Sequence, residues 1–355
     1  MAKIKIGSIG LGSISQGNHL PGIERSKDLE LTAICDIDEA KLQKVGEQYG
    51  IGENLRFTDY RELINCPAVE AVDISAPNNL HFRMAMDAAA AGKPYCLEKP
   101  VTMTAEEADI LAERTREAGV KNMVCFSYRF MKAARFMKDL IKKGAIGEIY
   151  HVDMQYFQAW GLPEWQGARV WRFVREIAGS GALGDLGCHA LDLVRFVIGR
   201  EYTKVVGHTG TYTRQRKIPG KDEFGEVAVD DFCNYMAEMD GGVSASFQIT
   251  RCAYGRGNYQ RMEIYGGKGA IVYCLDRVPN EDEVEVCIGD VYHQARAYTK
   301  LPVPDKYKSD QMQSFADIVN DKGDGLAADI FDGRKNQHVL DAVLASAAEG
   351  VWKEL

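Results

Sequence analysis

The sequence predicts an α/β protein: an amino-terminal doubly wound parallel sheet, then an α+β portion built on a large, mostly antiparallel open sheet. Three observations carry this. Up to about residue 126, short apolar runs alternate with helical stretches of about a dozen residues, as in βαβ units. The turn Gly10-Leu11-Gly12-Ser13-Ile14-Ser15 follows the first apolar run and opens a helical pattern through Leu20 and Ile23. Beyond it, strand-like runs dominate at 148–157, 204–212, 231–239, 243–250, 261–265 and 270–274. Two of their connections, Asp240-Gly241-Gly242 and Gly266-Gly267-Lys268-Gly269, read as hairpins. The change of character divides the chain into domains of residues 1–125 and 126–355.

In the first strand, residues 4–9, Ile4, Ile6 and Ile9 supply the apolar pattern. Gly10 then allows a tight turn and Gly12 lets the backbone approach a pyrophosphate, which rests with Ser13 and Ile14 at a helix N-terminus. Ser15 stands where the usual pattern has a third glycine, a position that only has to be small. The second strand, 29–34, ends before Cys35-Asp36-Ile37-Asp38. A carboxylate there accepts both ribose hydroxyls of an adenosine and repels a 2′-phosphate, so Asp36 points to NAD rather than NADP. Asp38 is expected to cap the helix that starts near Glu39.

Residues 71–76 read as the next strand, Pro77-Asn78-Asn79-Leu80-His81 as its turn, and 82–91 as a helix. Tyr95-Cys96-Leu97 is a short buried strand followed by Glu98-Lys99-Pro100, and 121–126 is another strand after a helix at 105–118. Ligands of open α/β sheets bind at the carboxyl ends of the strands. Ser75, Asn78, His81, Glu98 and Lys99 are therefore expected on the cofactor. An ammonium held there can serve proton transfer, because burial favours the neutral amine. Taken alone, Lys99 also fits a surface lysine before a helix-starting proline.

The segment Gly181-Ala182-Leu183-Gly184-Asp185-Leu186-Gly187-Cys188-His189-Ala190-Leu191-Asp192 is the second motif. Its glycines permit close backbone approach. Asp185 and His189 share a face if the helix ending at Gly199 already includes Asp185. Imidazole titrates near neutrality, so His189 can take a proton from an alcohol; Asp185 either holds its tautomer or binds a substrate hydroxyl. Asp-x-x-x-His offers two ligands and no third is apparent, so no metal site is expected.

Together the glycine turn, the Ser75–His81 run, Glu98-Lys99-Pro100, the Gly181–Asp192 segment and the carboxy-terminal helix at 339–352 resemble the Gfo/Idh/MocA oxidoreductases. The resemblance covers essentially the whole chain. It implies that Lys99, Asp185 and His189 form the catalytic set, that residues 1–125 are an NAD-binding Rossmann domain, and that 126–355 bind substrate and build a homo-oligomer, a dimer or tetramer. Ser127 stands where many relatives carry asparagine before an arginine, which leaves Arg129 as a candidate substrate contact. Trp171-Arg172-Phe173, Arg251 and residues 255–258 are similar to the levoglucosan-dehydrogenase-like and glucoside-3-dehydrogenase-like members.

Gln155-Tyr156-Phe157-Gln158-Ala159-Trp160, with Trp165 and Trp171-Arg172, brings aromatic faces beside amide and guanidinium donors. Such groups stack on and hydrogen-bond a polyhydroxylated ring, so Gln158, Trp160, Trp171 and Arg172 are candidate substrate contacts. The expected activity is NAD-dependent hydride transfer at a secondary hydroxyl of a sugar, glycoside or cyclitol. Two alternatives stay open: redox cycling on a tightly held NAD, and a regulator that binds NAD without catalysis.

Composition fits a protein of this kind. With 51 acidic and 43 basic side chains among 355 residues the formal charge is −8, which disfavours nucleic acid or an anionic membrane as partner. The basic cluster Arg214-Gln215-Arg216-Lys217 reads as a solvated loop, and poor alternation in 232–237 suggests a strand covered on both faces. Nine scattered cysteines without C-x-x-C pairs suggest reduced thiols. The first strand starts close to Met1, leaving little room for a signal peptide, and no apolar run reaches membrane-spanning length. A cytoplasmic enzyme is expected.

Overall fold

The computed structural model describes residues 2–275, 283–289 and 297–355. The chain forms two compact units, one of Met1–Phe126 with Ser309–Gln337, the other of Ser127–Lys308 with His338–Leu355.

The first unit holds six parallel strands: β1 (Ile4–Ile9), β2 (Leu29–Cys35), β3 (Arg56–Phe57), β4 (Ala71–Ile74), β5 (Tyr95–Leu97) and β6 (Asn122–Val124). Their order is β3-β2-β1-β4-β5-β6, so the connection direction reverses between β1 and β4. That switch point opens the crevice in which a dinucleotide lies in this topology. β4 and β5 are buried along their whole length, as strands covered on both faces must be. Caps set the helix starts. Asp38 accepts the Lys41 N–H ahead of helix Glu39–Gln48, and Thr104 accepts the Glu107 N–H ahead of helix Ala105–Ala118.

One segment departs from the expected division at 125/126. Ser309–Gln337 returns to the first unit because its side chains complete that unit's surface. Met312 packs on Gly22, Gln313 bonds Ser26 and Asp28, and Ala328 bridges Val124. The helix expected at 339–352 is observed over Ile330–Glu349.

The second unit is built on a nine-stranded sheet. Its strands are β7 (Ile149–Phe157), β8 (Tyr202–Gly210), β11 (Phe232–Met239), β12 (Val243–Thr250), β13 (Tyr259–Gly266), β14 (Gly269–Leu275), β15 (Glu283–Ile288), β16 (Thr299–Pro302) and β17 (Lys353–Glu354). The order is β16-β15-β14-β13-β7-β12-β11-β8-β17, antiparallel throughout except for the parallel pair β7–β12. β9 (Gln215–Lys217) and β10 (Phe224–Glu226) form a separate ribbon.

One sequence expectation is corrected here. The basic cluster is a strand, not a solvated loop: Arg216 is 3% exposed and its guanidinium donates to the Gly161 and Gly167 carbonyls. β11 alternates strictly, with Cys233, Tyr235, Ala237 and Met239 inward and Asn234, Met236 and Glu238 outward. The outward Met236, 55% exposed, is what blurs the pattern in the sequence.

Candidate active site

The carboxyl edge of the first sheet gathers one group of functional residues. Gly10 follows β1 with φ +87°, and a Cβ on it would meet the Ser75 carbonyl and the Ala76 nitrogen at 2.8 Å. Only glycine fits there without strain. A Cβ on Gly12 would meet nothing within 4 Å, so the backbone at Gly12 and Ser13 borders open space as the helix begins. Ser15 is wholly buried, which explains why a small residue serves at the third position.

Asp36 stands at the end of β2. Its carboxylate accepts the Leu11 N–H at 2.8 Å and the Asp38 N–H at 2.9 Å, and the Lys41 ammonium lies 3.3 Å from both oxygens. The acid is thus pinned to the glycine turn. A cradle open at Gly12, a helix start behind it and a fixed carboxylate one strand away fit a dinucleotide.

Three residues expected on the cofactor make hydrogen bonds within the first unit. The Ser75 hydroxyl donates to the Gly10 carbonyl at 2.8 Å. His81, 1% exposed, sets Nδ1 2.7 Å from the Pro100 carbonyl and Nε2 2.8 Å from the Ala76 carbonyl. Burial pulls this imidazole below its ordinary value, and the two carbonyls push the other way. Glu98, also buried, is bound by His19 and by the backbone N–H of Lys99. Asn78 opens helix Asn78–Ala90 at the end of β4, and half-buried Lys99 follows β5.

The second unit gathers another group. Asp185 lies in a π-helical turn, Leu183–Gly187, that runs straight into helix Cys188–Ile198. Gly181 makes this possible, since a Cβ there would fall 1.8 Å from the Asp230 carbonyl oxygen. The Asp230 carboxylate accepts the N–H groups of Gly181 and Leu183. His189 is 8% exposed, with the Tyr128 ring edge-on at 5.0 Å, and the Arg172 Nε lies 3.7 Å from Asp185 Oδ1.

A polar chain runs beside them. The Trp160 indole N–H donates to Gln158 at 2.7 Å, the Gln158 amide to Asn258 Oδ1 at 2.9 Å, and the Tyr156 hydroxyl to that oxygen at 2.7 Å. Tyr128 and Tyr156 hydroxyls are 2.6 Å apart. Burial first, and then Tyr128, push the Tyr156 phenol up, which keeps it a donor at neutral pH.

Sequence reasoning missed Tyr128 and Asn258 as members of this group. They come from a 3-10 turn, Ser127–Phe130, and from the residue before β13; strand pairing brings Asn258 to Tyr156, and the turn brings Tyr128. The Arg129 guanidinium grips Asp192 through Nε at 2.7 Å and a second nitrogen at 2.5 Å, with 5% of the residue exposed. This pair ties the Ser127–Phe130 turn to helix Cys188–Ile198. Trp160 gives part of its surface to buried Arg251 and Phe173, while Arg172 covers the Trp171 ring at 4.4 Å.

Residues 4–126 match the model of an oxidoreductase family with an NAD-binding Rossmann fold, and residues 134–272 match the Gfo/Idh/MocA carboxy-terminal domain. A levoglucosan dehydrogenase of Pseudarthrobacter phenanthrenivorans is 30% identical over 329 residues, covering 84% of this chain and 83% of its own. The chain belongs to the Gfo/Idh/MocA oxidoreductases. Other members of the family share its length: the scyllo-inositol 2-dehydrogenase of Bacillus subtilis is 28% identical over 76% of this chain and 73% of its own. The structure of a levoglucosan dehydrogenase with NADH and levoglucosan superposes with a TM-score of 0.88 at 27% identity, over 99% of both chains. The first unit of this Gfo/Idh/MocA protein is therefore an NAD-binding Rossmann fold, and the chain is an oxidoreductase.

Proposed function

We propose that this oxidoreductase oxidises a secondary hydroxyl of a sugar, glycoside or cyclitol to the ketone, or reduces that ketone in the reverse direction. The observation that carries the reading is the second unit's cluster of a histidine, an aspartate–arginine pair and a chain of amide, phenol and indole donors. Such a set suits a ring bearing several hydroxyls. The named activities of the levoglucosan, glucoside and inositol dehydrogenases among its relatives support the same class.

Gly10, Gly12, Ser13, Ile14 and Asn78 would hold the cofactor's phosphates and nicotinamide side, and Asp36 the ribose. When bound, NAD supplies the hydride acceptor. In this reading His189 takes the hydroxyl proton, and Lys99 hydrogen-bonds the same oxygen, favouring alkoxide character and relaying the proton. Asp185 orients His189 or a neighbouring substrate hydroxyl. Gln158, Trp160, Trp171 and Arg172 border the ring.

The open face of the nine-stranded sheet, with Tyr150 and Met236 more than half exposed, supports a homo-oligomer in which a second copy covers it. All nine cysteines are free thiols, five of them buried, which supports a reducing compartment such as the cytoplasm. No described helix is long and apolar enough to cross a membrane.

The test is incubation with NAD and a panel of inositols, hexoses, anhydrosugars and aryl glycosides while NADH is followed. Net NADH formation with one ring class is expected. Turnover without net reduction would favour a retained, cycling cofactor, and no turnover with any of them would overturn the substrate class.

A further inference from the structure

His19 belongs to no motif singled out above, yet it lies buried between two carboxylates inside the first unit. It closes the π-helical segment Ser15–His19 beyond the glycine turn and is 1% exposed. Its Nδ1 lies 2.7 Å from Asp73 Oδ1 and its Nε2 3.1 Å from Glu98 Oε1. Asp73, in β4, also accepts the Ser8 hydroxyl at 2.8 Å and the Cys96 thiol at 3.2 Å. Cys125, beyond β6, completes the surroundings, with His19, Glu98 and Cys125 ligand atoms within 4.8 Å of one another.

A carboxylate only accepts, so each ring nitrogen facing one needs its own proton, and only the imidazolium carries two. The alternative, two buried carboxylates around a neutral ring, leaves negative charge uncompensated at a cost of several kcal/mol per ion. Burial is the largest influence on His19 and lowers its pKa. Asp73, by charge and hydrogen bond, and then Cys125 and Glu98 outweigh it, so the imidazole titrates well above its ordinary range.

The second oxygen of Glu98 accepts the backbone N–H of Lys99 at 3.1 Å. We infer that His19 is a positioning residue: a buried imidazolium that clamps the Glu98 carboxylate and thereby fixes the Lys99 turn against the helix of the cofactor cradle. This rests on the reading of Lys99 as a group that touches the reacting oxygen. One side chain then ties two parts of the site together, and its positive charge keeps Glu98 from acting on Lys99 as an uncompensated anion.

The test combines histidine 15N NMR of the full wild-type chain with kinetics of His19→Gln, using the best substrate of the panel above. Gln keeps one donor and loses the charge. In the wild type at about pH 8, a histidine signal with both ring nitrogens protonated is expected, absent in H19Q. H19Q should lower kcat by about 10- to 100-fold, move the pH profile of kcat towards higher pH, and leave the NADH dissociation constant within about threefold. A packing role alone would not move the profile.

If H19Q does not fold, the wild-type spectrum decides: a neutral ring at pH 8 overturns the inference. So does an H19Q enzyme with unchanged kcat and profile, or zinc retained at one per chain through gel filtration, which would make the trio a metal site. Lys99→Met separates the two levels. An active K99M enzyme overturns the catalytic reading itself, whereas an inactive one beside a silent H19Q overturns only the role of His19.

Discussion

Asp36 shows how much one side chain decides. It holds the glycine turn through Leu11, receives the Asp38 N–H, and is balanced by Lys41. Asp36→Ala removes the acceptor for a ribose and leaves Lys41, an ammonium suited to a 2′-phosphate, with only Asp38, 3.8 Å away, as a partner. The kcat/KM ratio of NAD to NADP should fall by about 10- to 100-fold, the range of one or two charge-assisted hydrogen bonds; an unchanged ratio would mean the ribose is held elsewhere. Gly10 and Gly12 separate shape from binding. Gly10→Ala forces a Cβ against Ser75 at φ +87° and should cost about 1–3 kcal/mol of stability. Gly12→Ala meets no protein atom, so the melting temperature of the free protein should stay within about 2 °C. Its NAD affinity should drop about tenfold or more. Equal losses of stability in the two variants would contradict the cradle.

At the scale of elements, the pieces carrying function are placed by buried polar ties. Arg129 joins the Ser127–Phe130 turn to the helix bearing His189 through a two-point grip on Asp192. Arg129→Met removes the two-point grip on a buried carboxylate and should cost about 3–5 kcal/mol in denaturant unfolding, with Arg129→Met/Asp192→Leu recovering part of it. A loss below about 1 kcal/mol would mean that the pair does little to hold the helix. Elements written contiguously were legible from the chain: the strand–turn–helix around Gly10, the cap at Asp38, and the helix from Gly187 onward. The grouping of Tyr128, Tyr156 and Asn258 was not, because it depends on the β7–β13 register and on a turn distant in sequence packing beside it, which no local pattern encodes. The basic run around Arg216 misleads for a related reason: charge suggests solvent, and only the fold supplies two backbone carbonyls to bury it against.

At the scale of the whole molecule, the first unit is closed by a segment that returns from residues 309–337, so the chain is not a simple series of two domains. Composition carries no trace of this, because Met312 and Gln313 act on Gly22, Ser26 and Asp28 from nearly the other end of the chain. Two buried histidines shape its stability with pH in opposite senses. His19 binds its proton more tightly when folded, so its contribution is complete below about pH 6.5, the ordinary histidine value, and is lost as pH rises through the higher folded value. His81 binds its proton less tightly, so its contribution holds above that value and is lost as pH falls through the lower folded one. The melting temperature should therefore decline on the alkaline side in the wild type and decline less in H19Q. A parallel decline in both would mean that another group controls the alkaline limb.

The central claim of the proposal is that Lys99 and His189 perform the proton chemistry of the reaction. The most direct measurement is NADH formation by Lys99→Met and by His189→Ala on the best substrate of the panel, with NADH binding followed by fluorescence in the same samples. Each variant should lose about 10³-fold or more in kcat while binding NADH nearly as the wild type does. Turnover near the wild-type rate in both would contradict it.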